Sequence, residues 1–76
     1  MSLHLIINGQ NREFANLDGK VTLEELLAEM QLKGDRVAVE LNGAISPRAG
    51  WGETTVGPGD RLEVVHFVGG GSPLQS

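Results

Sequence analysis

The first apolar positions of the chain alternate. Leu3, Leu5 and Ile7 fall on one side and His4, Ile6 and Asn8 on the other, the period-two pattern of a strand with one strongly apolar face. Asn8-Gly9 follows, a pair suited to a two-residue hairpin turn because both positions favour positive φ. The return strand is predicted at about Asn11 to Asn16, with Phe14 as its inward anchor, and Leu17-Asp18-Gly19-Lys20 as a connecting loop. The period then changes. Leu23, Leu26, Leu27 and Met30 stand at i, i+3, i+4 and i+7, a single helical stripe. Thr22 is its N-cap, Glu25 completes a capping box, and Val21 with Leu26 forms a hydrophobic staple. Gly34, after Lys33, is expected to end the helix in the left-handed conformation. The stripe is too short for a coiled-coil seam and is expected to cover a sheet.

Alternation returns at Val37, Val39 and Leu41, closed by Asn42-Gly43, with Ile45 as a short continuation. From Ser46 to Glu53 the pattern breaks around Pro47, Arg48, Gly50, Trp51 and Gly52. Thr54-Thr55-Val56 reads as a brief edge strand, Gly57-Pro58-Gly59-Asp60 as a tight turn, and Arg61 to Val68 as the final strand. A hairpin, a crossover helix and further strands make an α+β layer. A crossover of this length can lay the first and last strands side by side and parallel at the sheet centre. The predicted fold is therefore a β-grasp, the ubiquitin-like fold, with one main helix across one face of a mixed four- to five-stranded sheet. Residues 1–68 form that domain and residues 69–76 a flexible glycine tail with a short extension.

Composition removes several functions. The 76 residues contain no cysteine, which excludes disulfides, thiolate metal sites and a persulfide carried on this chain. Ten acidic against six basic residues give a net charge of −4, which argues against nucleic acid, whose phosphates need clustered Lys and Arg. That balance suits a basic protein surface, and it equally suits simple solubility. No stretch approaches the roughly eighteen apolar residues of a membrane span. Met1-Ser2-Leu3-His4 runs straight into strand-like sequence, so we expect no secretory signal and a cytoplasmic protein.

The chemistry points to the end of the chain. Val64-Val65-His66-Phe67-Val68 gives way to Gly69-Gly70-Gly71, followed by Ser72-Pro73-Leu74-Gln75-Ser76. Glycine weakens any element it sits in. A glycine run instead makes a thin tether that enters a narrow channel, and a terminal glycine carboxylate would be unhindered. The final strand also carries apolar groups on both faces, although one helix covers only one. The uncovered face would be a docking surface, or it would pack against the loop around Trp51. Trp51 itself fits core cover and partner contact equally. His4 and His66 read as ordinary strand residues, and Glu24, Glu25 and Glu29 as helix surface placed favourably near the helix N-terminus.

Taken in order, these segments resemble the ThiS family of sulfur carriers, and more distantly the small subunit of molybdopterin synthase. The matching residues are Asn8-Gly9, Val21-Thr22-Leu23-Glu24-Glu25-Leu26-Leu27, Val39-Glu40-Leu41-Asn42-Gly43, Pro47-Arg48 with Trp51, and Gly59-Asp60-Arg61-Leu62-Glu63 on through Gly71. The resemblance implies a carrier that is not itself an enzyme, binds no cofactor or metal, and is a monomer when free. A ubiquitin-activating-type partner would spend ATP to adenylate the terminal glycine. A persulfide donor would supply sulfur, and thiazole synthase would consume the resulting thiocarboxylate. The implied reacting residue is Gly71 (or Gly70), with Gly69 and Gly70 as tether and Phe67, Val65 and Trp51 as docking residues. Other jobs on the same fold are a carrier or modifier for molybdopterin or tRNA thiolation, or a non-covalent interaction domain. The sequence departs from the family in one respect. Members usually end at the glycines, whereas here Gly71 is bonded to Ser72: either Ser72 to Ser76 are removed first, which we expect, or this form is inactive, or the five residues are an artificial addition.

Overall fold

The computed structural model describes residues 2–66. Its strands are β1 (Leu3–Ile7), β2 (Gln10–Phe14), β3 (Val21–Thr22), β4 (Val37–Leu41), β5 (Ala44–Ser46), β6 (Thr55–Val56) and β7 (Arg61–His66). The helix α1 spans Leu23–Glu29, and short 3-10 turns cover Gly34–Arg36 and Arg48–Gly50. Five strands form one sheet in the order β2-β1-β7-β4-β5, and β3 pairs with β6 in a separate two-stranded sheet. Within the large sheet only β1 and β7 are parallel. The first and last strands therefore meet at the centre with α1 across one face, which is the predicted β-grasp.

Alternation does what the pattern implied. Leu3, Leu5 and Ile7 face the helix and are no more than 3% exposed, while His4 and Ile6 face the other way. They pack with Leu23, Leu26 and Leu27 of α1, with Val37 and Val39 of β4, and with Leu62 of β7. Phe14 closes the same cluster, and the Arg12 guanidinium lies 5.3 Å over its ring. Both hairpins turn through Asn-Gly with positive φ at each position, 53° and 80° at Asn8-Gly9 and 52° and 88° at Asn42-Gly43. Such turns match the twist of the strands they join.

The helix starts as expected. The Thr22 side chain accepts from the Glu25 backbone N–H at 3.1 Å, and Glu25 Oε1 accepts from the Thr22 N–H at 2.9 Å. Val21, read only as part of the staple, is also the start of β3. It pairs with Val56, so the Thr54–Val56 segment is not an edge of the main sheet but the partner of the helix's lead-in strand.

The helix stops earlier than Gly34. Gln31 takes the left-handed conformation with φ 61°. The Gln31 N–H donates to Ala28 O and the Leu32 N–H to Leu27 O, both at 3.0 Å, the paired bonds of a Schellman motif. Gly34 is needed for a different reason: a Cβ there would lie 3.1 Å from Cζ3 of Trp51, so glycine lets the backbone pass against the indole. Ile45 corrects a further expectation, since it lies not on a continuation of β4 but on the antiparallel β5 beyond the turn.

Two stability predictions follow from these ends. Thr22→Ala should cost about 1 kcal/mol through loss of the cap. Gln31→Gly should stabilise by up to about 1 kcal/mol, because a left-handed residue with a Cβ costs roughly 1–2 kcal/mol and glycine returns only part of that in chain entropy. Urea denaturation midpoints measure both, and a lower midpoint for Gln31→Gly would refute the strain argument.

Candidate functional site

Strand β7 organises the candidate site because it is central and leads into the glycine run. Its odd and even positions are divided between two environments. Leu62 is buried and Val64 packs against the core, whereas Glu63 and Val65 face away from the helix. On β4 the same division puts Val37 and Val39 inside and Ala38 and Glu40 outside. Register then sets neighbours: Ala38 stands opposite Val65, Glu40 opposite Glu63, and Ile45 opposite Glu40. Together with Val39 these residues line a shallow groove of about 130 Å³.

That groove is apolar in the middle and acidic at its rim. Ile45 is 77% exposed and Val65 48%, the two large hydrophobic side chains most open to solvent among the described residues. Carboxylates placed directly opposite on neighbouring strands repel each other. Glu40 and Glu63 are so placed, and neither has a cationic partner among the described residues. An apolar floor beside two uncompensated carboxylates fits a surface carrying one apolar side chain and a basic group.

The sequence-predicted site residues separate. Val65 sits on this open face. Trp51 does not: it is 5% exposed, packs in the core cluster on the helix side of the sheet, and donates its indole N–H to Ser46 O at 2.8 Å. An anchored, buried ring has little surface left for a partner, so the core reading of Trp51 replaces the docking one. Phe67, Gly69, Gly70 and Gly71 lie outside the described residues. Ile45 and Ala38 were missed. The signal was present in the two-residue turn, because counting outward from Asn42-Gly43 pairs Leu41 with Ala44 and Glu40 with Ile45, which puts Ile45 on the outer face.

A β-grasp domain whose central strand leads into glycines, with an open apolar face beside it, defines the class of small ubiquitin-like proteins. Comparison with known proteins is more specific. The ThiS family model matches residues 5–71. Sulfur carrier protein ThiS of Bacillus subtilis is 37% identical over 67 residues, which cover 88% of this chain and 98% of that protein. The crystal structure of a thiamine biosynthesis protein (ThiS) from Geobacter metallireducens superposes with a TM-score of 0.76 at 33% identity, covering 91% of this chain and all of that one. A thiazole synthase of Paramagnetospirillum magneticum is 41% identical over 70 residues, or 92% of this chain. The chain spans about a fifth of the length of the thiazole synthases it matches. The chain belongs to the ThiS family of sulfur carrier proteins.

The division between core and open face is directly measurable. Trp51→Ala should cost about 3–5 kcal/mol of stability, the usual range for a buried aromatic. Ile45→Ala should stay within about 0.5 kcal/mol of the unaltered protein, as exposed positions do. Chemical denaturation of both variants checks the assignment, and a large loss for Ile45→Ala would return that residue to the core.

Proposed function

We propose that this chain is a sulfur carrier for thiazole formation in thiamine biosynthesis, loaded at the carboxylate of Gly71. The observation that carries the reading is the extent of the family match, which runs through the whole domain and ends on Gly71. The likeness of the chain to a segment of two bacterial thiazole synthases favours thiazole over the other sulfur pathways.

The chemistry begins with the Gly71–Ser72 amide. Hydrolysis adds water across it, leaving a glycine carboxylate and a free Ser72 amine. A carboxylate is a poor acyl donor, so a separate adenylating enzyme transfers AMP to it from ATP with release of pyrophosphate. The terminal sulfur of a persulfide then attacks the carbonyl carbon; a C–S bond forms and the C–O bond to AMP breaks. The resulting acyl disulfide is reduced by a thiol, which leaves a thiocarboxylate on Gly71. Thiazole synthase takes the sulfur from there. The chain supplies a docking face and a slim acyl group, and the partners supply the catalytic groups.

The groove around Ile45 and Val65 is the docking face in this reading, and Phe67 is a further contact residue. Its occupant is an apolar side chain flanked by Lys or Arg that meets Glu40 and Glu63. Burying the groove adds about 25 cal/mol per Å² of apolar surface, and the basic group relieves the repulsion between the carboxylates.

Full-length and Gly71-terminated protein, incubated with the cognate adenylating enzyme, ATP, a persulfide source and a thiol, should differ in intact mass. Only the shorter form should exchange one oxygen for sulfur. Equal conversion of an uncleaved full-length chain would overturn the requirement for a free Gly71 carboxylate. Ile45→Ala in the shorter form should melt nearly as the unaltered protein does yet raise KM for the carrier about tenfold or more, the effect of losing an interface hot spot.

A further inference from the structure

Strand β7 is held by an unusual device on each flank. On the β1 side, the last regular rung is the Asn8 N–H donating to Leu62 O at 2.8 Å. The chain then swings away into the hairpin, so no backbone of β1 faces Val64. The Asn8 side chain fills the gap. Its Oδ1 accepts from the Val64 N–H at 2.8 Å, and its Nδ2 donates to Val64 O at 3.2 Å. One carboxamide replaces the peptide group of a strand that has already turned. At the other end and on the other flank, Asn42 repeats the arrangement. Its N–H donates to Arg61 O at 2.7 Å, and its Oδ1 accepts from the Arg61 N–H at 2.9 Å.

The turns alone do not ask for these side chains. Glycine satisfies both positive-φ positions of such a hairpin, but glycine has no amide to offer. The two clasps also differ in consequence. Asn42 secures the start of β7, remote from the glycine run. Asn8 secures its end: with it, β7 is paired on both flanks as far as Val64, and without it, two-sided pairing stops at Leu62. Residues 63–66 would then hang on β4 alone, and a strand held on one flank pivots and frays more readily.

We infer that Asn8 is a positioning residue for carrier loading, fixing the line along which β7 delivers the residues beyond His66 to a partner's active site. The inference rests on the sulfur-carrier reading for its functional half. Reacting atoms must be held to within about an ångström for efficient transfer, so a pivoting strand lowers the rate of adenylation more than it weakens docking through the Ile45–Val65 groove.

The experiment compares Asn8→Gly, Asn8→Asp and Asn42→Gly in the Gly71-terminated protein. Amide hydrogen exchange by NMR should show Val64 exchanging about tenfold faster in Asn8→Gly, the size expected for loss of the one hydrogen bond its N–H makes to Asn8 Oδ1, with Val39 unchanged. Asn8→Asp keeps the acceptor for the Val64 N–H but sets a carboxylate oxygen against Val64 O, so protection at Val64 should recover only in part. In steady-state adenylation with ATP and the cognate enzyme, Asn8→Gly should lower kcat several-fold at nearly constant KM. Asn42→Gly should leave kcat unchanged at a similar cost in thermal stability. Equal kcat losses in the two glycine variants, or a wild-type kcat in Asn8→Gly, would overturn the positioning role. A wild-type protein that is never adenylated would instead refute the carrier reading. Exchange at Val64 would still decide the clasp: unchanged protection in Asn8→Gly refutes it.

Discussion

The structure depends on the pairing of the last strand with the first. β7 finds β1 on one side and β4 on the other, and only its position between them closes the five-stranded sheet. Ile6 lies beside Arg61 and Ile7 beside Leu62, contacts that join residues more than fifty positions apart. Parallel neighbours need a long crossover, and α1 supplies it while covering the face that Leu3, Leu5, Ile7, Val37, Val39 and Leu62 present. Remove that pairing and the sheet splits into the β1–β2 hairpin and a three-stranded piece of β7, β4 and β5, leaving the helix nothing continuous to cover.

Much of this was legible in the residues because the signals were local and repeated. Alternation located β1, β4 and the inner part of β7, and the Thr22–Glu25 capping box located the start of α1. The Asn8-Gly9 pair located the first hairpin, whereas Asn42-Gly43 was read only as the end of a strand and proved to turn a second one. What escaped depended on neighbours distant in sequence. Gly34 looks like a helix stop until Trp51 is brought against it, and nothing in a glutamine announces the left-handed backbone at Gln31. β3 and β6 have two residues each, too few for any period to show. Of the candidate site, Val65 lies on the open face, Trp51 lies in the core, and the exposure of Ile45 was visible only to a count of register from the turn. The residues after His66 lie outside what the structure describes, so the glycine chemistry still rests on sequence and kinship.

The outer face and the core face are products of one alternation, and they carry opposite demands. Inside, side chains from both layers meet with almost no exposure. Outside, Ile45 and Val65 stay open beside two opposed carboxylates, an arrangement that does nothing for the isolated domain. Sheets commonly leave one face to solvent and make it polar. Here the half nearest the end of β7 departs from that habit, while the far half keeps it, with His4 3.5 Å from Glu13 across β1 and β2.

The central place of β7 also has a consequence in time. A ribosome makes this strand after every other element of the sheet, yet the sheet cannot close without it. Folds dominated by pairings distant in sequence form comparatively slowly, and this one cannot complete its sheet until β7 has emerged. A nascent or unfolded chain therefore never completes the groove of Ala38, Ile45 and Val65, because its Val65 wall is β7 itself, the last strand to be made. A partner that reads that groove inspects, in the same act, whether the chain has finished folding.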